Sequence, residues 1–285
     1  MPLRAPVLVF VALSLAGTAC GRLNDAGVGD PGELRIEHPT GAADLVLREE
    51  YVGGFTSADV ILAGIPAFSL YGDGRLVTEG AHTEIYPGPA LPSLLVRQLS
   101  EDAVQAILAL ARDAGLTDGD RQYANGCIVD APDTRFTVHA GGRTSVVTAS
   151  ALGMGPPSCP GSDPRAERRL TEFSRSLATL ERWLPAGSIG TAEPYAPSGL
   201  RVYVRPYQPD RALTEPAIAW PGPRLRARGD ATRSMYEPTC VAVDPHDIVA
   251  VLNEAGSANQ LTPWTSRGDR FSILFRPLLP DESGC

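Results

Sequence analysis

The placement of five cysteines constrains this chain more than any other feature. Cys20 stands directly behind an apolar N-terminal stretch, while Cys127, Cys159, Cys240 and Cys285 are spread over the rest of the sequence. Arg4 supplies a positive charge ahead of the apolar run Val7 to Gly17. That run is too short for a bilayer core of about 30 Å. It has the length of a signal-peptide core, so residues 1–19 are expected to direct export and to stay outside the fold.

The small residues Gly17, Thr18 and Ala19 precede Cys20, and Gly21 follows it. This resembles the lipobox of bacterial lipoproteins, in which the cysteine thiol carries a diacylglycerol. The match departs from the usual pattern in having Gly17 where the family prefers Leu. Lipidation of Cys20 would anchor the chain to the extracytoplasmic face of the membrane, because two acyl chains hold where one does not. The alternative is cleavage after Ala19 and secretion. Setting Cys20 aside leaves four cysteines for an oxidising compartment and three ways to pair them. Pairing Cys127 with Cys159 and Cys240 with Cys285 keeps each bridge inside one block of sequence. No Cys-x-x-Cys occurs, which argues against a thioredoxin-type site or a zinc ribbon.

All 25 basic side chains are Arg. The absence of Lys removes Schiff-base, P-loop and Ser-x-x-Lys chemistry. With 33 acidic residues the formal charge is −8, which speaks against nucleic acid as a partner. The 29 Gly and 26 Pro predict many turns around short elements.

Gly21 to Ala43 is Gly-rich and aperiodic, so residues 20–43 read as a flexible tether. Its Gly27-x-Gly29-x-x-Gly32 has no strand before it and no helix after it, and is not a dinucleotide fingerprint. Residues 44–186 alternate strands and helices. Leu45–Val52 reads as a strand; Phe68–Tyr71 and Arg75–Thr78 form a hairpin around Gly72-Asp73-Gly74. Leu94–Leu99 is a further strand. Ser100 then caps a helix bearing Val104, Ile107, Leu108 and Ala111, and Gly115 ends it. Thr134–Ala140 and Arg143–Ser150 form a second hairpin about Gly141-Gly142. Asp163-Pro164 opens a second helix, which buries Leu170, Phe173, Leu177, Leu180 and Leu184. A linker is expected at 187–199. Residues 200–285 then form a smaller block, with strands at Leu200–Tyr207, Thr239–Val243 and Phe271–Phe275, and a helix capped by Asp244-Pro245. The expected class is α+β: antiparallel sheets built from hairpins, helices packed on one face, and two disulfides.

Candidate sites are sparse. The four histidines lack metal-ligand spacing, and no Gly-x-Ser-x-Gly elbow exists, so no metal, cofactor or catalytic residue is assigned. His38 falls in the tether, His139 in a strand, and His246 beside Asp244 and Asp247. Asp118 with Asp120, and Asp130 with Asp133, read as turn carboxylates. Arg224, Arg226 and Arg228 share one face if the segment is extended. With Trp220 and Trp264 as partly exposed anchors, they form the candidate binding surface. Trp183 is expected in the core.

The hairpin Phe68-Ser-Leu-Tyr-Gly-Asp-Gly-Arg75 and the ending Arg276-Pro-Leu-Leu-Pro-Asp-Glu282 to Cys285 resemble features of secreted or lipid-anchored lipoproteins of unknown function from high-GC Gram-positive bacteria. The resemblance implies a location and no activity. The expectation is a non-enzymatic binding or scaffold module at the cell envelope, with an envelope protein or polymer as partner. Two alternatives are an extracellular hydrolase using carboxylates such as Asp130 or Asp244, and an inhibitor presenting the loop 155–160.

Overall fold

The computed structural model describes residues 35–81, 84–155, 159–210, 212–228 and 237–285. The signal segment, Cys20 and residues 21–34 of the expected tether lie outside the described residues. Ile36–Cys285 forms one compact unit. Its described residues hold thirteen strands and four α-helices in two sheets, an α+β fold.

The larger sheet contains β1 (Leu45–Val52), β2 (Phe68–Tyr71), β3 (Arg75–Glu79), β4 (Leu94–Gln98), β5 (Arg121–Tyr123), β6 (Asp133–Ala140), β7 (Arg143–Ser150) and β8 (Glu193–Pro194). Its order is β5-β7-β6-β1-β2-β3-β4-β8. After β1 comes the short helix α1 (Ala58–Ala63), which lies against the strand Asp269–Pro277 of the smaller sheet, with Asp59 paired to Arg205. Helices α2 (Glu101–Asp113) and α3 (Pro164–Leu177) pack on the larger sheet. The smaller sheet, in the order β10-β12-β13-β9-β11, is built from β9 (Leu200–Pro206), β10 (Ile218–Ala219), β11 (Thr239–Val243), β12 (Trp264–Ser266) and β13 (Asp269–Pro277). It is accompanied by α4 (Ile248–Gly256). Hairpin pairing makes both sheets mainly antiparallel. The exceptions are the edge pairs β5–β7 and β10–β12, which run parallel.

Local signals set the main elements. The Ser100 hydroxyl accepts from Ala103 N at the start of α2. At its end Leu116 N donates to Ala111 O and Gly115 N to Arg112 O, with Gly115 at φ +83°, which is a Schellman cap. Asp163 accepts from Arg165 N and Ala166 N to start α3. Gly141 and Gly142, at φ +58° and +70°, turn the β6–β7 hairpin. The apolar faces of α2 and α3 cover one face of the larger sheet. There Phe136 and Phe173 meet edge to face at 5.6 Å. Such pairs add about 0.5–1.5 kcal/mol beyond the area they bury.

The sheet's opposite face is closed by the C-terminal segment. Tyr71, Val77 and Leu279 form a small buried cluster there. Beside it, Arg48 Nη2 and the Tyr71 hydroxyl each donate to Asp281 Oδ1 at 2.8 Å. Burial pushes Asp281 up, but the hydrogen bond and charge of Arg48, together with Tyr71, outweigh it and hold the carboxyl below its ordinary value. Arg276 and Glu282 pair bidentately within the segment. Reciprocally, residues 88–91 reach the second core, where Ala90 N donates to Ala258 O and Leu91 packs.

Both disulfides join the local partners, Cys127–Cys159 and Cys240–Cys285, with Cα separations of 5.5 and 5.9 Å. They fit an oxidising, extracytoplasmic environment. No helix among the described residues is long and apolar enough to cross a membrane.

Several expectations need correction. Residues 36–43 are pinned to the fold: Ile36 exchanges two hydrogen bonds with the Gln105 side chain, and Glu37 O accepts from Gly141 N. His38 therefore lies against the fold, with its side chain 5% exposed and its ring bound to Pro39 O and Glu101. The stretch read as a linker contains β8, which extends the larger sheet beside β4. Helix α4 starts at Ile248, four residues after Asp244, because the Asp244 carboxylate is used on His246 N in a preceding turn. Trp183 is 36% exposed, since its indole lies over the end of α3 to reach Ser176 O.

Candidate functional site

The arginine stripe is partly as expected. Arg224, Arg226 and Arg228 are exposed, while Leu225 between them is buried and Ala227 packs on the second core. The tryptophans assigned to that surface are not on it. Trp220 and Trp264 are 8% and 1% exposed. Their rings meet edge to face at 5.6 Å, and both pack on Phe275. The turn at Pro221-Gly222-Pro223 folds the Trp220 indole back, so that its Nε1 donates to Pro223 O. Burial of two indoles outweighs the polar composition around them. What remains of the candidate surface is a row of cations.

The other candidates separate. Asp120 accepts from Val146 N. Asp133 lies at the start of β6 and Asp130 in the loop before it. His246 is exposed, and its hydrogen bond to Asp247 raises its pKa above the ordinary value. His139 is half-buried and lowered by desolvation. Residues 156–158 of the proposed inhibitor loop lie outside the described residues. Among the described residues, no group of three or more His, Cys, Asp or Glu could hold a metal.

Two adjoining depressions at the end of β1 form the better candidate. The first is a groove of about 450 Å3 between the β1–α1 loop, α1 and the segment 130–132. Gly53 and Gly54 leave β1 at φ +70° and +78°. A Cβ on Gly54 would stand 2.8 Å from the Pro132 backbone nitrogen, so only glycine permits this approach. Phe55 N donates to Asp130 O and fixes the loop. Ser57 caps α1, yet none of the helix's residues is buried. Phe55 is 91% exposed, Ile61 61%, and Val60 and Tyr51 59% each; Val129, next to Asp130, is 88% exposed.

The second is a cleft of about 300 Å3 between the larger sheet and the end of α3. Its apolar lining is Phe68, Leu76, Leu177 and Leu180; its polar lining includes Glu49, Glu79, Arg97 and Glu181. Arg97 pairs with Glu181. Glu49 is 4% exposed and its neighbours across the sheet are Phe68 and Phe136. Its Oε1 accepts from the Ser174 hydroxyl at 2.5 Å. Burial drives the Glu49 pKa above the ordinary value, and the Ser174 hydrogen bond only partly offsets this. Tyr51 lines both depressions.

Sequence reasoning missed this site. One signal was present: in Leu-Arg-Glu-Glu-Tyr, strand alternation puts Glu49 on the inward face with Leu47. The exposure of α1 had none, because Val60, Ile61 and Leu62 look like core residues. No family model, curated protein or solved structure matches this chain.

Proposed function

We propose that this chain is a lipid-anchored binding module of the cell envelope, held by Cys20 and engaging a polypeptide partner through the groove at α1. The observation that carries this reading is the cluster of Tyr51, Phe55, Val60 and Ile61, all more than half exposed around one groove. Contiguous exposed apolar surface marks interaction sites in soluble proteins. The occupant is an apolar segment carrying positive charge. The carboxylates of Asp130 and Glu50 line the groove, which disfavours an anionic membrane surface as the occupant.

The test places a photo-crosslinking residue at position 55 in the cell-surface protein, with position 224 as control. Crosslinks from position 55 to an apolar, basic segment of an envelope protein, lost on Val60→Asp, support the reading. Equal yields from both positions, or crosslinks to lipid or polysaccharide alone, overturn it. The anchor is tested separately by metabolic acyl labelling, which should vanish in Cys20→Ser; labelling that survives rejects Cys20 as the acceptor.

A further inference from the structure

Elsewhere in the fold, arginines are matched with acids: Arg48 with Asp281, Arg97 with Glu181, Arg135 with Glu50, Arg205 with Asp59 and Arg276 with Glu282. The segment after Trp220 differs. Among the described residues, Arg224, Arg226 and Arg228 form no ion pair. Burial alternates along this stretch: Leu225 is 2% exposed and Ala227 packs half-buried on the second core, while the three arginines face solvent. This is the period-two pattern of an extended chain, so the three side chains leave one face at intervals of about 6.6–7 Å. The row is held in place from below. Leu225 N donates to Ser266 Oγ at 3.4 Å, and the Trp220 indole to Pro223 O at 2.6 Å. Arg267 and Arg270 flank Asp269 in the turn that follows Ser266, so this turn adds positive charge beside the row.

We propose that this row is a docking surface for a linear polyol phosphodiester whose successive phosphates are separated by three carbons. Charge complementarity is the first argument. A phosphodiester presents two equivalent oxygens and one negative charge to the two-pronged fork of a guanidinium. Spacing is the second. Two residues of extended peptide span six backbone bonds, and a glycerol phosphate repeat also spans six from one phosphorus to the next. An extended strand of this polymer brings one phosphate to each arginine.

Two rival occupants fit less well. Amphipathic segments that bind anionic membranes set apolar or aromatic residues beside their cations, and within residues 218–228 no large apolar side chain is exposed. Single-stranded nucleic acid shares the six-bond repeat, but proteins that bind it stack bases on aromatic rings. Trp220 and Trp264 are buried and offer no such platform. The overall charge of −8 weighs little on three local contacts, because charges more than about 8 Å apart are largely screened at physiological salt.

This surface does not rest on the groove at α1, and the experiment keeps the two apart. The full chain carrying Cys20→Ser, which keeps acyl groups out of the measurement, is titrated at physiological ionic strength against end-labelled hexamers of glycerol phosphate, read by fluorescence anisotropy. Ribitol phosphate hexamers, with eight backbone bonds per repeat, test the spacing. Hexathymidylate and phosphatidylglycerol vesicles test the two rivals. Glycerol phosphate should bind about threefold or more tightly than ribitol phosphate, and added salt should weaken its binding. Arg224→Gln, Arg226→Gln and Arg228→Gln should each weaken it about threefold, as for loss of one exposed ion pair, and the triple variant about tenfold or more. Thermal melts verify that the variants fold. Unchanged affinity in the triple variant, or equal binding of the two polyol hexamers, overturns the proposal. Tighter binding of hexathymidylate overturns it in favour of nucleic acid. Row-dependent binding to the vesicles without binding of the hexamers overturns it in favour of a membrane. Val60→Asp should leave hexamer affinity unchanged; a loss there, with the triple variant unaffected, moves the polymer to the groove and rejects the row. Failure of the row leaves the capture of a polypeptide at position 55 untouched, and polymer captured at position 224 does not count against that reading.

Discussion

The Tyr71 hydroxyl donates to Asp281 Oδ1 across 2.8 Å, joining residues 210 positions apart in the chain. Arg48 Nη2 donates to the same oxygen, so one carboxylate holds the outer face of the larger sheet against the C-terminal segment. The Arg48 and Asp281 side chains are 13% and 21% exposed. Removing one partner leaves a largely buried charge. Asp281→Ala is expected to cost about 3 kcal/mol, at the low end for broken buried pairs. Tyr71→Phe should cost about 1 kcal/mol. Denaturant melts of both variants and of the double variant measure the coupling, and strict additivity would reject a shared network. Asp281 is lowered in the folded state, so its contribution is present above the ordinary carboxylate pKa and disappears as pH falls through the lowered value.

Glu49 has the opposite sign. Its folded pKa is raised, so its penalty is absent below the ordinary glutamate value and grows as pH rises through the folded one. Glu49→Gln should therefore be more stable than the parent at pH 8, by about 1 kcal/mol or about 2–4 °C in Tm. The two should converge near pH 4. A gap that widens on acidification would contradict the assignment.

The two tryptophans and the three arginines near them should respond very differently. Trp264→Ala removes a fully buried indole and should cost about 3–5 kcal/mol. Changing Arg224, Arg226 and Arg228 together to Ser should move stability by less than about 1 kcal/mol, since all three are exposed. Comparable losses in the two variants would mean that the arginines carry structural contacts.

The disulfides close separations of 32 and 45 residues. In the chain-entropy picture these contribute about 3.7 and about 4 kcal/mol. Non-reducing peptide maps should recover Cys127 with Cys159 and Cys240 with Cys285. Replacing each pair by Ser should lower the midpoint by similar amounts. Free Cys127 in the unreduced map would refute the pairing.

Elements with a local cause could be read from the sequence. Ser100, Asp163 and Gly115 determine helix ends by hydrogen bonds to their own neighbours, and Gly141-Gly142 turns its hairpin through backbone freedom alone. Elements created by distant pairing could not. Strands β8 and β10 are two residues each, Glu-Pro and Ile-Ala, and exist because β4 and β12 present free edges. Trp220 and Trp264 were misplaced for the same reason, since Pro and Gly beside them describe the turn and not the ring's destination. Of the candidate site, the inward position of Glu49 followed from strand alternation. The gathering of Phe55, Val60 and Ile61 beside Asp130 required the loops to be folded.

The tryptophan layout also gives the molecule two separate optical channels. Trp220 and Trp264 lie in close contact inside the second core, where coupled transitions should yield a near-ultraviolet dichroic band that tracks that sheet alone. Trp183, 36% exposed and bonded to Ser176 O at the end of α3, should dominate the long-wavelength edge of the emission. A quencher dissolved in the buffer would reach that indole and spare the other two. Loosening of the end of α3 and unfolding of the second sheet could then be followed in one cuvette without attaching a label.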